Sequence, residues 1–101
     1  MRDYQAVIRV RHQGRNLAES PDVLDEVTGA LEEFGATALL WPDVTEWTMT
    51  VRVPTLWDAG PFAGRQVRDA YHYAGWKDTV IVRADAWQVA EWETARDLSD
   101  T

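Results

Sequence analysis

Two groups of residues in this sequence have side chains able to do chemistry. His12, Arg15, Asn16, Asp43, Trp76 and Lys77 form the first, and Arg9, Arg52 and Arg83 the second. An imidazole beside a carboxylate and two cations can move a proton on an anionic substrate, and three guanidinium groups on one surface can hold an anion. Neither group is accompanied by a nucleophile or an oxyanion-hole signature, so the chain is expected to be non-enzymatic. Cysteine is absent, which removes disulfides, thiolate zinc sites and Cys nucleophiles together, and two histidines are too few for a dedicated metal centre. No cofactor is expected. Gly60 and Gly64 lack the following Lys and Ser or Thr of a phosphate loop. Asp69, Tyr71, His72 and Tyr73 stand one and two residues apart, and on a helix such neighbours point away from each other.

The elements that must position these residues follow from the apolar periods. Tyr4 to Arg11 alternates, with Tyr4, Ala6, Ile8 and Val10 on one face, as in a half-buried strand. After a polar turn over residues 12–16, Ser20 with Pro21 and Asp22 starts a helix: the hydroxyl accepts from a free backbone N–H and Pro suits the first helical position. Val23, Leu24, Val27, Ala30, Leu31 and Phe34 carry that helix over residues 21–34, and Gly35 stops it. Ala36 to Trp41 is a short second strand, joined through Pro42 to Thr45 to a third over Glu46 to Val53, whose inner residues are Trp47, Met49, Val51 and Val53. Pro54 ends it. Residues 55–60 read as a loop before a second helix over 61–74, and Thr79 to Asp85 as a fourth strand with Val80, Val82 and Ala84 inward. Asp85 and Gln88 fit a capping box, which favours a third helix over Ala86 to Leu98 against a continued edge strand.

Strand, helix, strand, strand, helix, strand is the order of an α+β sandwich of the ferredoxin-like, split βαβ kind, with an antiparallel sheet in spatial order 4-1-3-2. The expected division is a βαββαβ domain over 1–85 and a tail over 86–101 that packs on it or on a partner. Helices cover one face of such a sheet. The other face then carries Val7, Arg9, Thr48, Thr50, Arg52, Ile81 and Arg83, with Leu39 and Trp41 toward one edge. The order of elements is similar to that of RNA-recognition-motif domains, and the resemblance implies RNA on that open face. Those domains stack bases on aromatic residues of the two central strands, where this chain has Val7, Arg9, Thr48 and Thr50.

Charge falls in blocks: residues 1–18 sum to +3, residues 19–46 hold eight acids and no base, and the whole chain is −7. That balance is of the wrong sign for phosphate-driven affinity, so nucleic acid is not the expected partner. The first helix presents Asp22, Asp25, Glu26, Glu32 and Glu33 to water, either as a solvated face or as a docking surface for a basic partner. The leading expectation is a protein-interaction or accessory role through the open face or the acidic helix, with a protein partner or a homodimer. The alternative is a small-anion site built from His12, Arg15 and Lys77. Of the six tryptophans, Trp47 is assigned to the core, Trp76 to a plug at one end, and Trp57 to an exposed loop. Nine of ten basic residues are Arg, usage that suits a GC-rich genome such as an actinobacterium or its phage. No signal-peptide core or membrane-length apolar run is present, and a cytoplasmic location is expected.

Overall fold

Apolar and polar residues alternate most strictly in the two longest strands, and these form the centre of the sheet. In the computed structural model, which describes residues 1–89, they are β1 (Arg2–Arg11) and β3 (Val44–Val53), paired antiparallel along their whole length with Ile8 opposite Trp47 and Ala6 opposite Met49. A one-residue slip would turn every core side chain to the opposite face, so the shared period fixes the register. The remaining elements are α1 (Pro21–Leu31), β2 (Thr37–Leu40), α2 (Leu56–Tyr73) and β4 (Val80–Gln88). All four strands are antiparallel in the order β2-β3-β1-β4, as the sequence predicts. Both helices contribute to a single core, in which Tyr4, Ile8, Val10, Val27, Leu31, Trp47, Met49, Val51, Val67 and Tyr71 are buried. No described helix is long and apolar enough to cross a membrane.

Three local readings are corrected. The first is the facing of β4. Arg9 pairs with Arg83 but Val10 pairs with Ile81, leaving Val82 as the extra residue of a bulge. A bulge reverses the alternation beyond it. Ile81 therefore packs against the core, its Cδ1 lying 3.7 Å from where a Cβ on Gly64 would be, and Val82 is 43% exposed instead of buried. Val80, opposite Arg11, is exposed as well.

The second correction concerns α2, which begins at Leu56, five residues before Pro61. Thr55 starts it: its hydroxyl donates to the Asp58 carboxylate at 2.8 Å, and Asp58 N–H returns to the Thr55 carbonyl at 3.1 Å. Pro61 removes one ladder bond in the second turn, a loss that the packing of Ala59, Gly60, Ala63 and Val67 on the sheet outweighs. At the other helix, α1 ends at Leu31 and a 3-10 turn over Glu32–Phe34 leads to Gly35, whose φ of 62° is the left-handed stop. Ser20 does not cap α1 with its side chain; its hydroxyl donates to the Asn16 carbonyl, and Asn16 caps a 3-10 turn over Leu17–Glu19 that buries Leu17.

The third is the tail. Ala86 to Gln88 continue β4, with Ala86 opposite Ala6 and Trp87 opposite Gln5, so the expected helix does not begin at Ala86. The rest of that helix, with Glu91, Trp92 and Glu93, lies outside the described residues.

Gly60 and Gly64 sit where α2 crosses β4, both without positive φ, and an added Cβ at Gly64 would make ordinary van der Waals contact with Ile81. Close approach does not require glycine there. Gly64→Ala is expected to raise stability by about 0.5–1 kcal/mol, because the unfolded chain loses conformational freedom while no contact is overfilled. A urea melt measures it, and a lower midpoint for the variant would show that α2 cannot yield at Ile81.

Candidate functional site

The register of β1 decides what the open face can do. Arg9 lies between Glu46 on β3 and Arg83 on β4. Two like charges directly opposite each other repel, and here each is met by its own acid. Arg9 Nη2 donates to Glu46 Oε2 at 2.8 Å and its Nε reaches the same oxygen at 3.3 Å, while Arg83 Nε donates to the Asp85 carboxylate. Glu46, Arg9 and Arg83 thus stand in one row across the face, with Asp85 two residues along β4 from Arg83. Arg52 is elsewhere: it sits opposite Asp3, six residues along β1 from Arg9. At about 3.3 Å per residue that is roughly 20 Å, so the three arginines do not converge on one anion. Between them Val7 is buried beside Thr48 and Asp85, and it offers no ring for a base to stack on. Trp41 closes the β2–β3 hairpin, its N–H donating to the Val44 carbonyl at 2.8 Å, and with Leu39 and Leu40 it makes an exposed apolar rim.

The loop group does come together, but around a buried histidine. His12 N–H donates to the Asp43 carbonyl at 2.7 Å, at the end of the β1–β3 ladder. Its ring is fully buried, 5.6 Å from the Tyr71 ring and 5.5 Å from the Trp76 ring. The Tyr71 hydroxyl accepts from Trp47 Nε1 at 2.9 Å and lies 3.3 Å from His12 Nε2. With one lone pair taken by the indole, the hydroxyl is placed to donate to Nε2, which leaves the ring proton on Nδ1. That atom and Thr45 Oγ1 are buried without a hydrogen-bond partner. Burial pushes the Tyr71 hydroxyl up to about 12, against the opposing hydrogen bond from Trp47, so it stays protonated at any ordinary pH.

Above this cluster the Arg15 guanidinium lies 5.2 Å from the centre of the Trp76 ring and pairs with Asp78 at 3.3 Å. Lys77 is exposed beside it. The structure thus joins His12 and Arg15 through Trp76, with His12 enclosed where a soluble anion does not reach and Arg15 already holding a carboxylate. Trp76 plugs the end of the sandwich and Trp57 is exposed, as their surroundings in the sequence suggest, although Trp57 lies in the first turn of α2.

Sequence reasoning missed the acids that occupy the cations. Glu46 had a legible signal, since it lies on the same strand face as Thr48 and Thr50. Asp78 and Asp85 had none without the fold. The acidic helix differs from both groups. Asp22, Asp25 and Glu26 on α1, with Glu32 and Glu33 after it, are all exposed, and none forms an ion pair among the described residues. The described residues also contain no group of His, Asp and Glu fit to hold a metal.

No family model matches the sequence, and no curated protein does. Among solved structures the chain is similar to a "putative transposase" from Deinococcus radiodurans R1, with 10% identity, a TM-score of 0.52, and coverage of 96% of this chain and 85% of that one. At that identity the likeness shows the fold alone.

The buried imidazole gives a pH dependence of stability. Burial lowers the pKa of His12 below its ordinary 6.5, with the Arg15 backbone and Asp43 acting weakly the other way. The unfolded chain then binds the proton more readily, so the stabilisation is complete above pH 6.5 and is lost as pH falls through the depressed folded value. Chemical melts between neutral pH and the upper end of the carboxylate range should show this slope. His12→Gln should remove it while lowering stability at neutral pH by about 1–3 kcal/mol through the unpaired Tyr71 hydroxyl. An unchanged slope in the variant would place the titrating group elsewhere.

Proposed function

We propose that this chain is a non-enzymatic cytoplasmic interaction module, ferredoxin-like in its split βαβ arrangement, that docks a basic protein segment on the acidic face of α1. The observation that carries the reading is the contrast in charge satisfaction. Arg9, Arg15 and Arg83 each have an acid in contact, whereas the five carboxylates from Asp22 to Glu33 form no ion pair among the described residues. Asp22 and Glu26 stand four residues apart on one helix face, and like charges at that spacing cost a few tenths of a kcal/mol each. A cationic partner removes that cost and gains association rate from the field of the whole face. The anion-binding alternative draws less support, because His12 is enclosed and Arg15 is engaged. A nucleic-acid role like that in the name of the Deinococcus neighbour draws less support still, because two of the open face's three arginines are held by acids, Arg52 stands roughly 20 Å from Arg9, and the centre carries a buried valine in place of stacking rings.

A synthetic Arg- and Lys-rich peptide, titrated at rising salt, tests the reading. Binding should weaken steeply with salt, and Asp25→Asn with Glu26→Gln and Glu33→Gln should reduce affinity by about tenfold or more at low salt. The same triple variant should melt slightly higher than the parent, since repulsion along the helix is relieved. Asp69→Asn, on α2, should leave binding unchanged. Binding that ignores salt, or that survives the triple variant, overturns the proposal.

A further inference from the structure

The outer edge of β4 pairs with no strand among the described residues. Its backbone polarity can be read from the ladder. His12 N–H donates to Asp43, so even-numbered residues of β1 bond toward β3 and odd-numbered ones toward β4. Arg83 and Asp85, opposite Arg9 and Val7, therefore turn their main-chain groups inward, and Ala84 and Ala86 turn theirs to the outer edge. Three further observations fall on this edge. Val80 and Val82 are exposed. The flank of β4 under α2 is incompletely covered, leaving a depression of about 280 Å³ lined by Leu56, Trp57, Gly60, Pro61 and Ala84 to Ala86. Trp57 beside it is 86% exposed.

We infer that β4 is a homodimer edge, pairing antiparallel with β4 of a second copy about a two-fold axis at Ala84. The charges select the occupant. Arg83 and Asp85 lie two residues apart on the same strand face, and a two-fold at Ala84 sets Arg83 of each copy opposite Asp85 of the other. Both residues turn their main-chain groups inward, so this is a non-hydrogen-bonded pair, the kind in which facing side chains come closest. Ala84 meets Ala84 with both main-chain groups bonded across the axis, and small residues there let the strands close. On the helix side, Ala84 and Ala86 of the second copy come against the depression beside Trp57, and both Trp57 rings approach the axis. A strand edge that is complementary to itself fits another copy of this chain better than an unrelated peptide. The pairing uses no residue of the acidic α1 face, so loss of basic-peptide binding in the triple variant leaves it standing.

Sedimentation velocity of the full chain over a range of concentrations tests the inference, with far-UV circular dichroism reporting the fold. The wild type should associate to a dimer as concentration rises. Arg83→Glu and Asp85→Lys each place like charges across the axis and should weaken association by about tenfold or more. Mixed in equal amounts, the two variants carry opposite charges at facing positions, and dimers should return as the heterodimer. Ala84→Pro removes an outward N–H that β1 does not use, so it should give a folded monomer. A wild type that stays monomeric throughout overturns the inference, as does a dimer that survives Ala84→Pro or folded reversal variants that fail to recover on mixing. If either reversal unfolds the chain, the wild type and Ala84→Pro decide the matter.

Discussion

The in-register pairing of β1 with β3 is the constraint on which the rest of the structure depends. Ten residues of each strand match, and the helix-facing row is apolar from Tyr4 to Val10 on one strand and from Trp47 to Val53 on the other. That match settles which side chains α1 and α2 must cover, and it carries the ladder to His12 and Asp43, where the buried cluster begins. Trp47 shows the coupling. Its ring fills the core from β3, and its N–H reaches the Tyr71 hydroxyl on α2, which in turn stands at hydrogen-bond distance from His12 on the chain leaving β1. A single hydroxyl thus joins the sheet, the long helix and the first turn, and it does so where water is excluded and each bond counts for more.

This pairing also explains why the cations are quiet. Because the side-chain period of both strands is two, Arg9 and Glu46 are forced onto the same face and into the same row, and the ion pair between them follows from register alone. The chain's charge asymmetry, basic before residue 19 and acidic over residues 19–46, is absorbed in part at the sheet by the Arg9–Glu46 pair, while the acids of α1 form no ion pair among the described residues.

The fold was legible in the sequence wherever one period ran unbroken. β1, β3 and α1 each keep a single period over their length, and their residues face as the pattern predicts, except Ala30, which is exposed near the end of α1. Where the period changes within an element, the pattern misleads. Val80, Val82 and Ala84 read as one inward row, but the bulge at Val82 divides that row, and nothing in the residues Val-Ile-Val-Arg marks the place. Pro61 misleads in a different way. Proline favours the first helical position and so draws the start to Pro61, whereas the helix begins after Thr55, whose hydroxyl meets Asp58 three residues later. The candidate site was legible in its residues and not in its meaning. His12, Arg15 and Trp76 do meet, but the burial of His12 depends on Tyr71 and Trp76 arriving from two distant segments, which no local pattern encodes.

Edge strands show how register bears on what charge means. A charged residue on a free edge ordinarily guards it, because an incoming strand must bury or face that charge. The guard works only if the approaching strand lacks the opposite charge at the facing position. A lone arginine on β4 would face its own copy in the antiparallel register centred on it, but Arg83 followed by Asp85 on the same face makes the edge repulsive in the registers centred on either residue and attractive in the one centred on Ala84. The bulge lies within this register, since Val82, where it twists the strand, is the residue set opposite Ala86 of the other copy. Features that elsewhere block association here narrow it to one register, and the difference lies in the order of two charged residues about one alanine.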